Sequence, residues 1–517
     1  MGGTITGLQA GASLELQDNG GNNLTVNKNG LFAFHQRLSA GAKYSVTIAI
    51  QPDSERCSVQ GGTGVLGTAD ITSVAVTCLT NVWTWIGGSD LTNASGVYGA
   101  LNGDSALDIP GARSGANAWT HSPAKLWLFG GTGYDATGQL GSLNDLWTYC
   151  SCSGIETWTW VGGSAQTNVM GTYGTLGIAS AQTIPGGRSN ASTWTDTYGN
   201  LWLLGGTGYA SQGSPGDLND LWKYTPSLGT WAWIGGSSLV GAAGVYGTKN
   251  VASVANVPGA RAGAESWTDA SGNLWLFGGS GVDSTGASGD LNDLWRFSTS
   301  DGTWTWISGS ALVNATGTYG VLGLGTSTTV PGARQGGTAW TDSQGNFWLF
   351  GGLGYDSLGT KGELNDLWEF NSTSGLWTWI GGSDAADGAA VYGALGVASS
   401  QNIPGPRQGA NSWTDLSGNL WLFGGVGYDA IGAQGDLNDL WRFDPGTGTW
   451  EWIAGSDLTD APGVYGALGV VSADTGPGAR TTAYNWIDTF GNLWLFGGYG
   501  YARTGPASLN DLWEYTP

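Results

Sequence analysis

One arginine recurs at Arg113, Arg188, Arg261, Arg334, Arg407 and Arg480, first after 75 residues and then four times after 73. Six in-phase copies of one unit stack like on like, so the repeat decides the architecture before any element is assigned. The landmarks of a copy are seen in the third: P-G-A-R at 258–261, S-W-T-D at 266–269, L-W-L-F-G-G at 274–279, L-N-D-L-W at 291–295 and W-T-W at 304–306. Five tryptophans per copy account for all 30 in the chain, which assigns tryptophan to the scaffold.

Four strand-like runs fill a unit, at 261–268, 273–279, 293–297 and 303–307 in the third copy, with turns at 269–272 and 298–302. Four antiparallel strands repeated radially predict a propeller blade. With 94 glycines and 11% charged residues, the composition suits short strands and tight turns better than long helices. The repeats open on a fourth strand, 82–86, and finish on a third, 511–515. Pairing the two completes the sixth blade and removes two open edges. The expected fold class is all-β, a six-bladed propeller over 82–517 behind a β-sandwich over 1–80.

The G-G after an aromatic strand, the N-D-L-W and the following W-x-W resemble kelch repeats across residues 82–517. A kelch unit has about 50 residues. Here the surplus lies between the fourth strand and the next arginine, as at 308–332, where the copies place Tyr98, Tyr173, Tyr246, Tyr319, Tyr392 and Tyr465. In kelch domains that bind acidic peptides, arginines at similar positions make the contacts, which the resemblance implies for the arginine set here. The segment from Trp340 through Asp342 and Asn346 to Trp348 resembles the structural Asp-box turn of sialidase-like propellers, one residue longer. Copper oxidases on kelch-like propellers need paired histidines, and the repeats hold His121 alone.

Residues 1–80 lack tryptophan and alternate apolar with polar residues between Asn-Gly and Gly-Gly turns, which predicts short strands and hairpins. The run from Asn29 through Leu31-Phe32-Ala33-Phe34 to Tyr44-Ser45-Val46 resembles bacterial immunoglobulin-like or prealbumin-like surface modules. Cys57 and Cys78 are expected to form a disulfide, worth about 3 kcal/mol; buried free thiols are the alternative. Residues 79–81 are too few for a flexible tether, so the module is expected at a fixed angle. Cys150 and Cys152 fall in an enlarged turn of the first copy and are expected to staple it, a strained redox-active pair being the alternative.

Against 17 basic residues stand 39 acidic ones, a net −22 that disfavours nucleic acid and anionic membrane surfaces as partners. No apolar run reaches the roughly 18 residues of a membrane span. The first ten residues have no basic start and no apolar core, and Met1 is read as the start of a trimmed mature form.

Strand alternation sends every long loop to one face, the face to search for function. Two readings of the arginines stay open. Facing a central channel they would bind carboxylates, sulfates or uronic acids; paired with Asp145, Asp220, Asp293, Asp366, Asp439 and Asp511 they would be structural. Asp135, Asp283, Asp356 and Asp429, replaced by Ala210 and Ala502 in the other copies, are weak calcium candidates. One carboxylate per loop falls short of the six to eight oxygens calcium wants, and a turn-forming role is the alternative. No other cofactor is expected. The tyrosines either stack on sugars or staple the long loops.

No catalytic residue stands out, since neither G-x-S-x-G nor a P-loop occurs. The expected function is extracellular or cell-surface adhesion, binding an acidic, polysaccharide or protein ligand at the long-loop face. The alternatives are a subunit of an extracellular filament or surface layer, self-associating through the amino-terminal module, and a polysaccharide-acting enzyme.

Overall fold

The computed structural model describes residues 1–52, 55–103, 105–120, 125–150 and 157–517, and among them there is no helix. Nine strands open the chain: β1 (Gly2–Thr6), β2 (Leu14–Asp18), β3 (Gly21–Val26), β4 (Gly30–Ala33), β5 (Lys43–Ile50), β6 (Arg56–Gln60), β7 (Thr63–Val65), β8 (Val74–Leu79) and β9 (Val82–Gly87). The first eight form two sheets, in the orders β4-β1-β8-β6 and β3-β2-β5-β7. Period-two alternation turns Ile5, Leu14, Leu16, Val46, Val74 and Val76 inward to a shared core. Cys57 and Cys78 face each other across β6 and β8 and are joined by the expected disulfide.

The repeats supply six antiparallel sheets, each running from an inner strand through the L-W-L-F strand and the N-D-L-W strand to the W-x-W strand at the outer edge. Two features differ from the sequence expectation. The run starting at the arginine is split: in the fourth sheet Arg334–Gln335 and Thr338–Thr341 pair separately with Phe347–Tyr355. The G-G also lies within an extended strand, as a register shift between Phe350 and Gly352, so strands two and three form a long hairpin. In the third sheet the same break divides the pairing into a four-stranded and a three-stranded part.

The split creates a closed circuit. The second residue after each arginine has positive φ: Gly115, Asn190, Gly263, Gly336, Gly409 and Thr482 lie between 49° and 64°. This turns each N–H toward the preceding sheet, so Asn190 donates to Gly115, Gly263 to Asn190, Gly336 to Gly263, Gly409 to Gly336, Thr482 to Gly409 and Gly115 back to Thr482, at 2.7–3.2 Å. Apolar clusters fill each seam between neighbouring sheets, including the seam where Trp486 and Trp494 of the sixth sheet meet Tyr149 of the first.

The sixth sheet is built from both ends of the repeat region. β9 pairs antiparallel with the last strand, Pro506–Thr516, placing Trp85 opposite Trp513 and Val82 opposite Thr516. The connection from β8 is Thr80 and Asn81, whose N–H donates to Thr516 O. Beside it Arg56 of β6 bridges to Glu514 at 2.9 Å, both side chains largely buried.

Candidate functional site

All six arginines are at most 1% exposed. In the third sheet Arg261 donates from Nε to Gly259 O, from Nη1 to Gly278 O and Asp293 Oδ1, and from Nη2 to Asp293 Oδ2. Tyr246 OH and Trp295 Nε1 donate to the same Asp293 Oδ2 at 2.6 and 2.7 Å. Arg113–Asp145, Arg188–Asp220, Arg334–Asp366, Arg407–Asp439 and Arg480–Asp511 repeat the pair at 2.6–2.7 Å. A buried guanidinium needs this much: burial lowers the arginine pKa, but the facing carboxylate outweighs it and holds the pKa of Arg261 above its ordinary value. The repeated landmarks G-x-R, G-G, N-D-L-W and Tyr are thus parts of one network. The arginine ring reading is therefore corrected, because no guanidinium reaches a channel or surface; the pairing is the structural alternative.

The tyrosines belong to this network too. Burial first and the aspartate second raise the pKa of Tyr319, which donates to Asp366 Oδ2 at 2.6 Å. Its ring is turned into the seam and offers no platform for a sugar.

Each calcium candidate is saturated by the protein. Asp356 Oδ1 accepts from the N–H of Leu358 and Thr360, and Oδ2 from Ala386 N, at 2.8–3.1 Å. Asp135, Asp283 and Asp429 accept the same pattern of backbone bonds. Burial raises these carboxyls, yet the donors outweigh it, N–H groups together with the hydroxyls of Thr137 on Asp135 and Thr285 on Asp283, and leave Asp135, Asp283 and Asp356 below the usual carboxylate range. They close the hairpin and tie it to the start of the next long loop. Among the described residues no cluster of three or more His, Cys, Asp or Glu could hold a metal ion. His121 and the Cys150–Cys152 pairing lie outside the described residues, which stop at Cys150 there. The Asp-box-like segment has the same economy: Asp342 Oδ1 accepts from Gln344 N and Asn346 N, and Oδ2 from Asn346 Nδ2 and Trp348 Nε1.

Sequence reasoning passed over the fourth residue after each arginine, where the copies disagree: Asn117, Ser192, Glu265, Thr338, Asn411 and Tyr484. All are buried at the seams around the axis. Asn117 Oδ1 accepts from Ala191 N of the next sheet, Glu265 Oε1 from Gly337 N at 2.6 Å and Tyr484 OH from Ala116 N. Among the described residues Glu265 Oε2 has no hydrogen-bond partner, and burial pushes this carboxyl up to about 8 despite its N–H donors and Arg334. Its neighbour is glycine where the other copies have alanine, and a Cβ on Gly337 would lie 2.8 Å from Glu265 Oε1. The signal was readable by aligning the copies for what differs among them. At the other end of the axis Thr195, Thr268, Thr341 and Thr414 line a cavity of about 400 Å³.

The long loops lie where the sheets end. Gly177 N donates to Trp233 O, Asn250 N to Trp306 O, Gly323 N to Trp379 O, Gly396 N to Trp452 O and Gly469 N to Trp85 O, so each loop runs along the outer strand of the next sheet and covers its edge. They leave a repeated aliphatic side chain in solvent: Leu101, Leu176, Leu322, Leu395 and Leu468, at one position of five copies, are 53–57% exposed.

No protein-family model and no curated protein matches the sequence. Among solved structures, one titled "Structure of YjhT" aligns with 78% of this chain and 95% of that chain, at 14% identity and a TM-score of 0.47.

Proposed function

We propose that the chain is a six-bladed, kelch-like propeller with a rigidly mounted immunoglobulin-like module, acting outside the cell as an adhesion or recognition protein that contacts protein partners through its long loops. The closed circuit of six sheets and the landmark residues of the repeat support the propeller reading. The Cys57–Cys78 disulfide is compatible with an extracellular site.

The observation that carries the functional reading is a contrast. The repeated charged and aromatic groups are consumed inside the sheets, whereas the repeated aliphatic groups of the loops stand in solvent. Exposed aliphatic rims fit protein surfaces better than acidic ligands or sugars, which take charged and aromatic partners. The full chain is to be assayed for binding to extracellular proteins and to a glycan panel, with Leu395→Asp and Leu468→Asp as variants. Protein binding weakened at least tenfold by the variants, at unchanged melting, is the expected result. Binding confined to glycans and indifferent to both substitutions would overturn the reading.

A further inference from the structure

The charge of this molecule is unevenly placed. Residues 1–80 hold five acidic and four basic side chains, leaving nearly the whole −22 to the repeats. Within the repeats, the long loops fall into two groups. The loops at 88–112, 382–406 and 455–479 carry eight aspartates and no base, whereas those at 163–187, 236–260 and 309–333 carry one charge, Lys249.

The circuit of sheets makes this a polarity of the loop rim, although the sheets beneath are acidic all round. The three uncharged loops cover the outer strands of the second, third and fourth sheets, through Gly177, Asn250 and Gly323. The amino-terminal module is anchored on the sixth sheet, through Arg56 and Glu514 and the β8–β9 connection. In a closed circuit of six the third sheet stands opposite the sixth. The uncharged flank is also apolar, exposing Leu176, Ile178, Val254, Val321, Leu322 and Leu324 at 54–85%.

The module presents a matching surface. In its sheet β4-β1-β8-β6, the strand that bridges to the repeats is β6, and the opposite edge is β4, with Leu31 86% exposed. The strand Gly30–Ala33 carries none of the charges or prolines that protect an open edge.

We propose that the uncharged flank docks the amino-terminal module of a second copy of this chain, so that copies associate head to tail. Like-charged acidic loops repel, which leaves the nearly neutral module and the three loops without aspartate as the surfaces two copies can bring together. A flank-to-flank pairing would set Lys249 against its own copy and leave the β4 edge open; the head-to-tail contact relieves both. Because the two surfaces lie at opposite ends, the contact is heterologous and propagates. This inference rests on the reading of the long loops as contact surfaces and names their partner.

Light scattering of the full chain across a thousandfold concentration range tests it, with Leu322→Asp on the flank and Leu31→Asp on the module as variants. Both side chains are exposed, so melting should not move. The expected result is mass growing with concentration for the native chain, monomers for either variant, and dimers for their equimolar mixture, in which one intact flank meets one intact module. A monomeric native chain, or association blocked by the flank variant alone with no dimer on mixing, would overturn it. A monomer that still binds another protein through the loops leaves the functional proposal standing; one that binds nothing removes both.

Discussion

Glu265 shows how one residue can set the pH response of a large sheet protein. Its carboxyl sits near 8 in the fold against 4.5 for the free side chain. The folded state therefore holds a proton that the unfolded chain has released, and the stability present below about pH 4.5 declines as pH rises toward 8. A span of that size corresponds to at most about 5 kcal/mol. Melting temperatures of the native chain should fall between pH 4.5 and 8, and those of Glu265→Gln should fall less steeply, the remaining slope coming from Glu363 and Asp436, whose carboxyls burial also raises; parallel curves would refute the assignment. Gly337 is coupled to it. Gly337→Ala alone should destabilise the seam, and Glu265→Ser with Gly337→Ala should recover most of the loss, because Ser192 facing Ala264 is the native arrangement one seam earlier. The arginines behave differently. Arg334→Gln leaves Asp366 buried and unpaired, a loss of about 3–5 kcal/mol measurable by denaturant unfolding. Sequence alone showed one arginine and one N-D-L-W aspartate per copy, the stoichiometry a structural bridge requires, and burial excludes the exposed site that remained its alternative.

At the scale of elements, the long loops are edge covers that also expose aliphatic side chains. Length and tyrosine content were legible in the sequence, but the partner strand was not, because it belongs to the next copy. Amides of Gly177, Asn250, Gly323, Gly396 and Gly469 should exchange with solvent as slowly as strand amides, although they lie in connections between sheets. Exchange at loop-like rates would mean that the outer strands are open. The four-strand plan of each unit was legible from the spacing of its motifs. The split inner strand was not, since the positive-φ position is filled by glycine in four copies, asparagine in one and threonine in one, and a composition rule sees no common turn residue.

At the scale of the molecule, closure depends on the two ends of the repeat region meeting in one sheet. The phase of the repeat already suggested this, because the repeat region opens on an isolated fourth strand and its last copy lacks one. The circuit of six N–H donors links all six sheets to their neighbours as well. The polarity of charge could be counted in the sequence, yet its meaning depends on which sheets stand opposite each other. Closure is tested most directly by Val82→Cys with Thr516→Cys, two positions paired across β9 and the last strand. Oxidation followed by peptide mapping should find these two cysteines joined within one monomeric chain, with a higher melting temperature than the reduced form. Cross-links only between chains, or none, would contradict a ring closed by its own ends.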